Sequence, residues 1–262
     1  MSNEYPLKLL SDLTRIKSDD YLIPGNCYQT WEDNRFGTSH ISAIENFRNL
    51  NPTISWFLFT NTQRDEYMES FWVDEPIHDI YKRAKFGVIK ADIFRYCILF
   101  ERGGYYFDIS KGCNTPLRAL HQHDTKALIS FENNLHDFKI AANVANTLLH
   151  PQHLILQWGF GFAAQNHILR KVIDQIVEDS VKFSGVVYED PKTAIWNFTG
   201  PIAFTRAVHS NFDATLFEFT EQAGIDFNLT GILPLPGAYT RHFKRRNYWD
   251  FKNKKILKMA TK

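Results

Sequence analysis

Residues 85–110 read KFGVIKADIFRYCILFERGGYYFDIS, and the order of elements within this stretch decides the fold. Val88, Ala91, Asp92, Arg95, Tyr96 and Leu99 lie close to one stripe of a helix expected from about Lys85 to Glu101. Gly103-Gly104 stops that helix, because glycine enters the left-handed backbone at a helix end without steric cost. Tyr105-Tyr106-Phe107-Asp108-Ile109-Ser110 then reads as a strand that is apolar until an acid appears. In open α/β sheets ligands bind outside the carboxyl ends of the strands, which makes Asp108 a site candidate. An ordinary turn acid is the competing reading.

The flanking sequence repeats the same grammar. After a polar arm at residues 1–20, expected to be helical, Tyr21 to Trp31 predicts a first buried strand and its exit loop. Ile41, Ile44, Phe47 and Leu50 recur at helical spacing and stop before Asn51-Pro52. Ile54 to Thr60 is aromatic and β-branched, and Asn61-Thr62 caps another helix. Further along, strands are expected near Ala127–Phe131, Leu154–Trp158 and Gly231–Leu235, and helices at Ala163–Asp179 and Gly200–Ser210. Alternation of strand and helix predicts an α/β protein with a mostly parallel central sheet flanked by helices. No repeat or linker interrupts it, so residues 1–262 are expected to form a single domain.

Composition narrows the function classes. A chain of 262 residues, 44% hydrophobic, is long enough to bury about 70–75% of its unfolded surface. With 30 Lys+Arg against 29 Asp+Glu, the net charge of +1 argues against a nucleic-acid partner, whose many phosphates need neutralising. Lys244, Arg245, Arg246, Lys252, Lys254, Lys255, Lys258 and Lys262 crowd the C-terminus, a pattern of either a solvated tail or peripheral contact with anionic lipid. Cys27, Cys97 and Cys113 are odd in number and form no CxxC pair, which disfavours a disulfide framework or structural zinc. Glu4, Lys8, Asp12 and Arg15 break any apolar leader, and no uncharged run approaches the ~18–20 residues of a membrane span. The expectation is a cytoplasmic protein without a transmembrane segment, peripheral at the inner membrane face at most.

Several residues could carry chemistry. Asp92 and Arg95, three apart, project from one helix face as either a surface ion pair or a buried pair with a task. Gln157-Trp158-Gly159-Phe160-Gly161-Phe162 offers aromatics for a sugar platform or for the core. Glu132 and Asn133 follow a strand and face an acceptor or simply turn the chain. Asn166-His167 and Thr199-Gly200-Pro201 have the form of helix starts. His121-Gln122-His123-Asp124 and His150-Pro151-Gln152-His153 have spacings that metal sites sometimes use, but read better as surface histidines.

Taken in order, Ile23-Pro24, Gln29-Thr30-Trp31, Asn51-Pro52, Lys90-Ala91-Asp92-Ile93-Phe94-Arg95-Tyr96, Gly103-Gly104-Tyr105-Tyr106-Phe107-Asp108-Ile109-Ser110 and Thr199-Gly200-Pro201 resemble the family 32 glycosyltransferases. These are the proteins with a sugar-binding region containing a DXD motif, among them fungal initiating α-1,6-mannosyltransferases and bacterial capsular-polysaccharide enzymes. The resemblance covers about residues 21–249. It implies a GT-A-type nucleotide-sugar-binding fold and retaining transfer of a hexose from a UDP- or GDP-sugar to a saccharide or lipid-linked acceptor. Residues 21–115 would form the nucleotide-sugar-binding half and 116–249 the acceptor side, with 250–262 a basic tail.

Within that resemblance, Trp31 borders the nucleotide base with Gln29 beside it. Asp92 and Arg95 hold ribose and sugar hydroxyls, and Asp108 is the first acid of the motif. The second acid, the family's direct ligand for Mn²⁺ or Mg²⁺, is replaced by Ser110. Three outcomes follow: the cation is held by Asp108 with the late His242, a side chain such as Lys111 replaces it, or turnover is lost and a nucleotide-sugar- or glycan-binding protein remains. His242 lies in Tyr239-Thr240-Arg241-His242-Phe243, where Arg241, Lys244 and Arg245 are further candidates for the diphosphate. A two-carboxylate glycoside hydrolase would need Glu101 or Glu132 as its second acid. A dinucleotide oxidoreductase is disfavoured, because no GxGxxG follows the first strand.

Overall fold

In a computed structural model, which describes residues 7–15, 20–130, 146–149, 154–210, 225–226, 232–234 and 252–260, the stretch at 85–110 folds as one helix feeding one strand. The strands in chain order are β1 (Lys8–Leu9), β2 (Asn26–Thr30), β3 (Arg35–Phe36), β4 (Ser55–Phe59), β5 (Gly104–Phe107), β6 (Lys111–Cys113), β7 (Ala127–Leu128), β8 (Gly159–Phe162), β9 (Val187–Tyr188), β10 (Ile225–Asp226), β11 (Ile232–Pro234) and β12 (Lys254–Lys255). The helices are α1 (Thr38–Leu50), α2 (Asn61–Phe71), α3 (Pro76–Arg83), α4 (Gly87–Arg102), α5 (His167–Phe183), α6 (Pro191–Phe198) and α7 (Pro201–His209).

Six strands form the central sheet in the order β10-β7-β8-β5-β2-β4. β4, β2 and β5 are mutually parallel, β8 runs antiparallel to both β5 and β7, and β10 is parallel to β7. The sheet is therefore mixed, with β8 alone reversed. Alternation along each strand divides the core. Tyr28, Tyr106 and Phe160 join one cluster with α2, α3, α4, α5 and α7, whereas Cys27, Trp56, Leu58, Tyr105 and Phe107 join another with Ile41, Ile44 and Phe47 of α1.

Local chemistry explains the boundaries that matter for the site. Thr60 and Gln63 close a capping box at the start of α2. Gly103, at φ 64°, ends α4 by donating its N–H to the Leu99 carbonyl. Gly104, at φ 107°, passes so close to β2 that a Cβ would lie 2.5 Å from the Asn26 carbonyl oxygen. These two residues turn the chain within one step, so α4 lies back along β5 and its first turns sit at the carboxyl end of the parallel strands. The Asn166 side chain caps α5, and Pro201 takes the first turn of α7 after Gly200.

Some expectations need correction. Where described, the N-terminal arm is extended rather than helical: β1 pairs with β3, and Leu13 bridges Trp56 on the outer edge of β4. Edge pairing through the backbone requires no apolar periodicity, so it left little trace in the sequence. Leu154, Ile155 and Leu156 are buried as expected, yet the ladder forms at Gly159–Phe162. The Phe107 and Tyr105 rings lie over Gly159 and Gly161 and occupy the space a side chain would take. Ile232–Pro234 is a strand, but it pairs with β6 outside the central sheet, while β10 takes the sheet edge. Helices α3 and α6, each only eight residues with proline in the first turn, were not anticipated.

Candidate active site

Asp92 and Arg95 leave adjacent turns of α4 and point at the carboxyl end of β5. Both are buried, with side-chain exposures of 3% and 5%. Arg95 is the hub. Its Nη2 lies 3.1 Å from Asp92 Oδ1 and 3.2 Å from Asp108 Oδ1, and its Nη1 donates to the Gln157 carbonyl at 2.9 Å. The guanidinium rests 4.5 Å from the centre of the Tyr106 ring. Two carboxylates and two π or carbonyl contacts thus compensate a desolvated cation, the condition under which a buried charge is tolerated.

Asp92 is held from its other side. Thr199 donates its hydroxyl to Oδ2 at 2.8 Å and Gln157 its amide to Oδ1 at 3.2 Å. The same Gln157 amide reaches the Tyr96 oxygen at 2.6 Å, and Tyr96 in turn donates to the Thr199 carbonyl at 2.8 Å. Burial pushes the Asp92 carboxyl up to about 7, against the opposing pull of Arg95, Thr199 and Gln157. Against the lowering effect of burial, Tyr106 and the carboxylates of Asp108 and Asp92 lift Arg95 above the ordinary arginine value. Tyr106, buried beside the two acids, is likewise raised.

Asp108 differs from this pair in being open to solvent, with 37% of its side chain exposed. Tyr106 donates its hydroxyl to Asp108 Oδ1 at 3.1 Å, and the Asp108 N–H donates to the Trp158 carbonyl at 2.8 Å. A tight turn follows, closed by the Lys111 N–H on the Asp108 carbonyl at 2.8 Å. It leaves Ser110 part-exposed and carries the Lys111 ammonium over the Trp158 ring, 5.0 Å from its centre. The arrangement presents one carboxylate and one ammonium to solvent in front of a rigid, buried, charge-paired base.

Gln29 and Trp31 lie at the carboxyl end of the neighbouring strand, on the α1 side of the sheet. Trp31 is part-buried and donates its N–H to the Phe59 carbonyl at 3.1 Å. Gln29 is 1% exposed, and among the described residues neither its amide oxygen nor its nitrogen has a hydrogen-bond partner. A buried amide left unpaired costs about 1–3 kcal/mol, and this one sits at the carboxyl end of a parallel strand, where open α/β sheets bind their ligands. The sequence singled out Asp92, Arg95 and Asp108, which the structure brings together in one cluster, with Gln29, Trp31 and Ser110 on the adjoining strand end and turn. It missed the fixing roles of Tyr106, Tyr96, Gln157 and Thr199. Gln157 carried a signal, being the polar residue after the apolar run Leu154-Ile155-Leu156.

His242, Arg241, Lys244, Arg245, Glu132, Asn133, His150 and His153 lie outside the described residues. Expected at the surface, His121 is instead buried, its Nε2 2.6 Å from the Tyr105 hydroxyl. Glu101 sits at the opposite end of α4, accepting from the Tyr67 hydroxyl at 2.5 Å, far from a place as a second hydrolytic acid.

A divalent cation is typical of DXD proteins. Asp108 supplies a single exposed carboxylate whose Oδ1 already faces Arg95 and Tyr106, and Ser110 adds only a neutral hydroxyl. Mg²⁺ and Mn²⁺ prefer several hard oxygen ligands with at least one or two carboxylates. Among the described residues no group of three acids, histidines or cysteines could hold an ion. The described residues therefore do not fit the ion.

Residues 37–127 match the family described as glycosyltransferase sugar-binding region containing DXD motif. Inositol phosphoceramide mannosyltransferase 3 of Schizosaccharomyces pombe is 30% identical over 99 residues, 37% of this chain and 27% of that protein. The initiation-specific alpha-1,6-mannosyltransferase of Candida albicans is 31% identical over 91 residues, 33% of this chain and 24% of that protein. Such matches span about a quarter to a third of the relatives' own length. Among solved structures, PaToxG glycosyltransferase superposes with a TM-score of 0.52 at 14% identity, covering 72% of this chain and 69% of that one, a likeness of fold. The α/β architecture is thus of GT-A type, and Asp92, Arg95 and Asp108 all lie within the segment that is similar to the DXD-containing glycosyltransferase sugar-binding region.

Proposed function

We propose that this protein is a retaining glycosyltransferase that moves a hexose from a nucleotide-diphosphate sugar, with UDP or GDP as the nucleotide, to a hydroxyl of a saccharide or lipid-linked acceptor in glycan or glycolipid synthesis. The observation that carries the reading is Arg95, buried at the carboxyl end of β5 and bridging Asp92 to the exposed Asp108. An ion-paired base of this kind holds an acceptor oxygen in one orientation, the requirement for gripping sugar hydroxyls. Relatives named as mannosyltransferases acting on inositol phosphoceramide support mannose as the hexose and a lipid-linked acceptor.

Breaking the bond between the anomeric carbon and the diphosphate oxygen places growing negative charge on the leaving group. The described donor set does not fit a metal ion, so the compensating charge must come from a side chain. Lys111, whose ammonium lies over Trp158 beside the Asp108 turn, is the cation we assign to that charge. Asp92, Thr199 and Gln157 position Arg95, Arg95 and Tyr106 position Asp108, and Asp108 accepts from the sugar. Gln29 and Trp31 bound the nucleotide side. The three unpaired, buried cysteines support work in a reducing compartment, at the cytoplasmic face.

Ser110 favours one other reading, a nucleotide-sugar-binding protein without turnover. A panel of UDP- and GDP-sugars, scored for nucleotide release in Mn²⁺, Mg²⁺ or EDTA, separates the two. Release from one donor that persists in EDTA and disappears in Lys111→Met and Asp108→Asn supports transfer. Donor binding without release, with or without glycan and lipid acceptors, supports the binding protein. Release that EDTA abolishes would sink the role given to Lys111.

A further inference from the structure

A second surface gathers where α5 ends and the segment 252–260 returns. Val181 is 76% exposed in the last turn of α5, Val186 and Val187 are 40% and 54% exposed entering β9, and Met259 is 68% exposed. Met259 lies directly over Gly185, where an added Cβ would meet its Cγ at 2.7 Å. The segment is anchored: β12 pairs with β9, Ile256 and Leu257 are fully buried, and Leu257 bridges Ala84 and Ser184. These valines and this methionine are thus held out on a fixed scaffold.

Lysines surround them. Lys252, Lys254 and Lys258 are exposed and Lys255 is half-buried across from Val187. Acids of the same stretch are partly spoken for. Asp179 pairs with Lys182 and Arg206, and Asp190 caps α6 through the Lys192 N–H and the Thr193 hydroxyl. Glu178 and Glu189 remain exposed, outnumbered by the four lysines. Projecting apolar side chains rimmed by ammonium groups match the boundary of an anionic bilayer, where the apolar groups enter the headgroup layer and the lysines are drawn to the anionic headgroups.

Position adds a reason. The Lys85 N–H donates to the Ile256 carbonyl at 3.0 Å, about seven residues ahead of Asp92 along the chain into α4, or roughly 10 Å of helix. The surface therefore lies at the same end of the molecule as the Asp92, Arg95 and Asp108 constellation. No helix among the described residues is long and apolar enough to cross a membrane. We infer that this face docks the protein peripherally on an anionic lipid surface, with the constellation held at the bilayer.

Vesicle sedimentation tests this without turnover, so its failure is separate from failure of the transferase reading. The full chain is mixed with vesicles of phosphatidylcholine alone or with about 30 mol% phosphatidylserine, at low and high salt. Binding is expected to the anionic vesicles only and to fall with salt. Lys254→Glu with Lys258→Glu should weaken it by at least about tenfold, and Val187→Ser with Met259→Ser should weaken it while leaving donor binding unchanged. Equal sedimentation with both vesicle types, absence of binding, or variants that bind like the native chain would overturn the inference. So would a concentration-dependent dimer that Val187→Asp with Met259→Asp dissolves, since a second copy would then cover this face.

Discussion

Arg95 and Asp108 sit in one ion-paired cluster but respond differently to removal. Arg95→Ala strips the buried Asp92 of its counter-charge, and breaking a buried pair from one side costs about 3–5 kcal/mol. Loss of turnover in that variant should therefore come with a marked drop in the denaturation midpoint. Asp108→Asn changes a part-exposed group and should shift stability by no more than about 1 kcal/mol while lowering kcat by about 100-fold or more. Equal effects of the two on urea denaturation would contradict the division into base and exposed tip.

Asp92 predicts opposite pH trends for stability and binding. Its carboxyl, raised to about 7, keeps in the folded state a proton that the unfolded chain releases near 3.8. Its stabilising contribution is full below about pH 4 and is lost as pH rises through about 7. Donor binding should rise over that upper range, because the ionised carboxylate is what fixes Arg95. Asp92→Asn should flatten both curves, measured by denaturation and by calorimetric titration of a nucleotide sugar. Gln29→Met should stabilise the fold by about 1 kcal/mol by removing an unpaired buried amide, yet weaken donor binding several-fold. Unchanged donor affinity would remove Gln29 from the nucleotide side.

At the scale of elements, the joint between α4 and β5 places the constellation. Gly104 combines φ 107° with an Asn26 carbonyl 2.5 Å from where a Cβ would stand, so the strand can neither accept a side chain nor move off β2 cheaply. Gly104→Ala should cost about 3 kcal/mol or more, read as a lowered thermal midpoint, and should loosen Asp108 through β5. α4 and β5 were legible because a long apolar stripe, a glycine pair and an apolar strand are each local patterns. β8 was displaced in the sequence reading because its two glycines look like a loop. Only the Tyr105 and Phe107 rings, lying over them from the neighbouring strand, show why glycine belongs there. The extended N-terminal segment was missed for a similar reason: its pairing with β4 is a backbone contact across more than forty residues.

Across the whole molecule, the sheet separates two cores, and the expected donor site straddles its carboxyl edge. Asp108 stands on the α4 side, Gln29 and Trp31 on the α1 side. A nucleotide sugar spanning that edge would bind the folded chain alone. At about 100 times its Kd it should add about 2.7 kcal/mol, a thermal shift of several degrees. A matching shift from the nucleoside diphosphate, and a smaller one from the free hexose, would assign most of the affinity to the nucleotide half.

By itself the sequence determined the α/β class and the order of the first four large elements, since these follow from periodicity and breakers along a continuous stretch, and it singled out Asp92, Arg95 and Asp108 as candidates. Tertiary structure alone decided that Arg95 is the shared partner of both acids, that Tyr96, Tyr106, Gln157 and Thr199 lock them, and that β8 runs against its neighbours. It also brought the lysines of 252–258 to the exposed valines at the end of α5. Gln157 meets Asp92 across 65 residues and Thr199 meets it across 107. Contacts of that range arise from the way helices pack on a sheet, and no local pattern of residues encodes them.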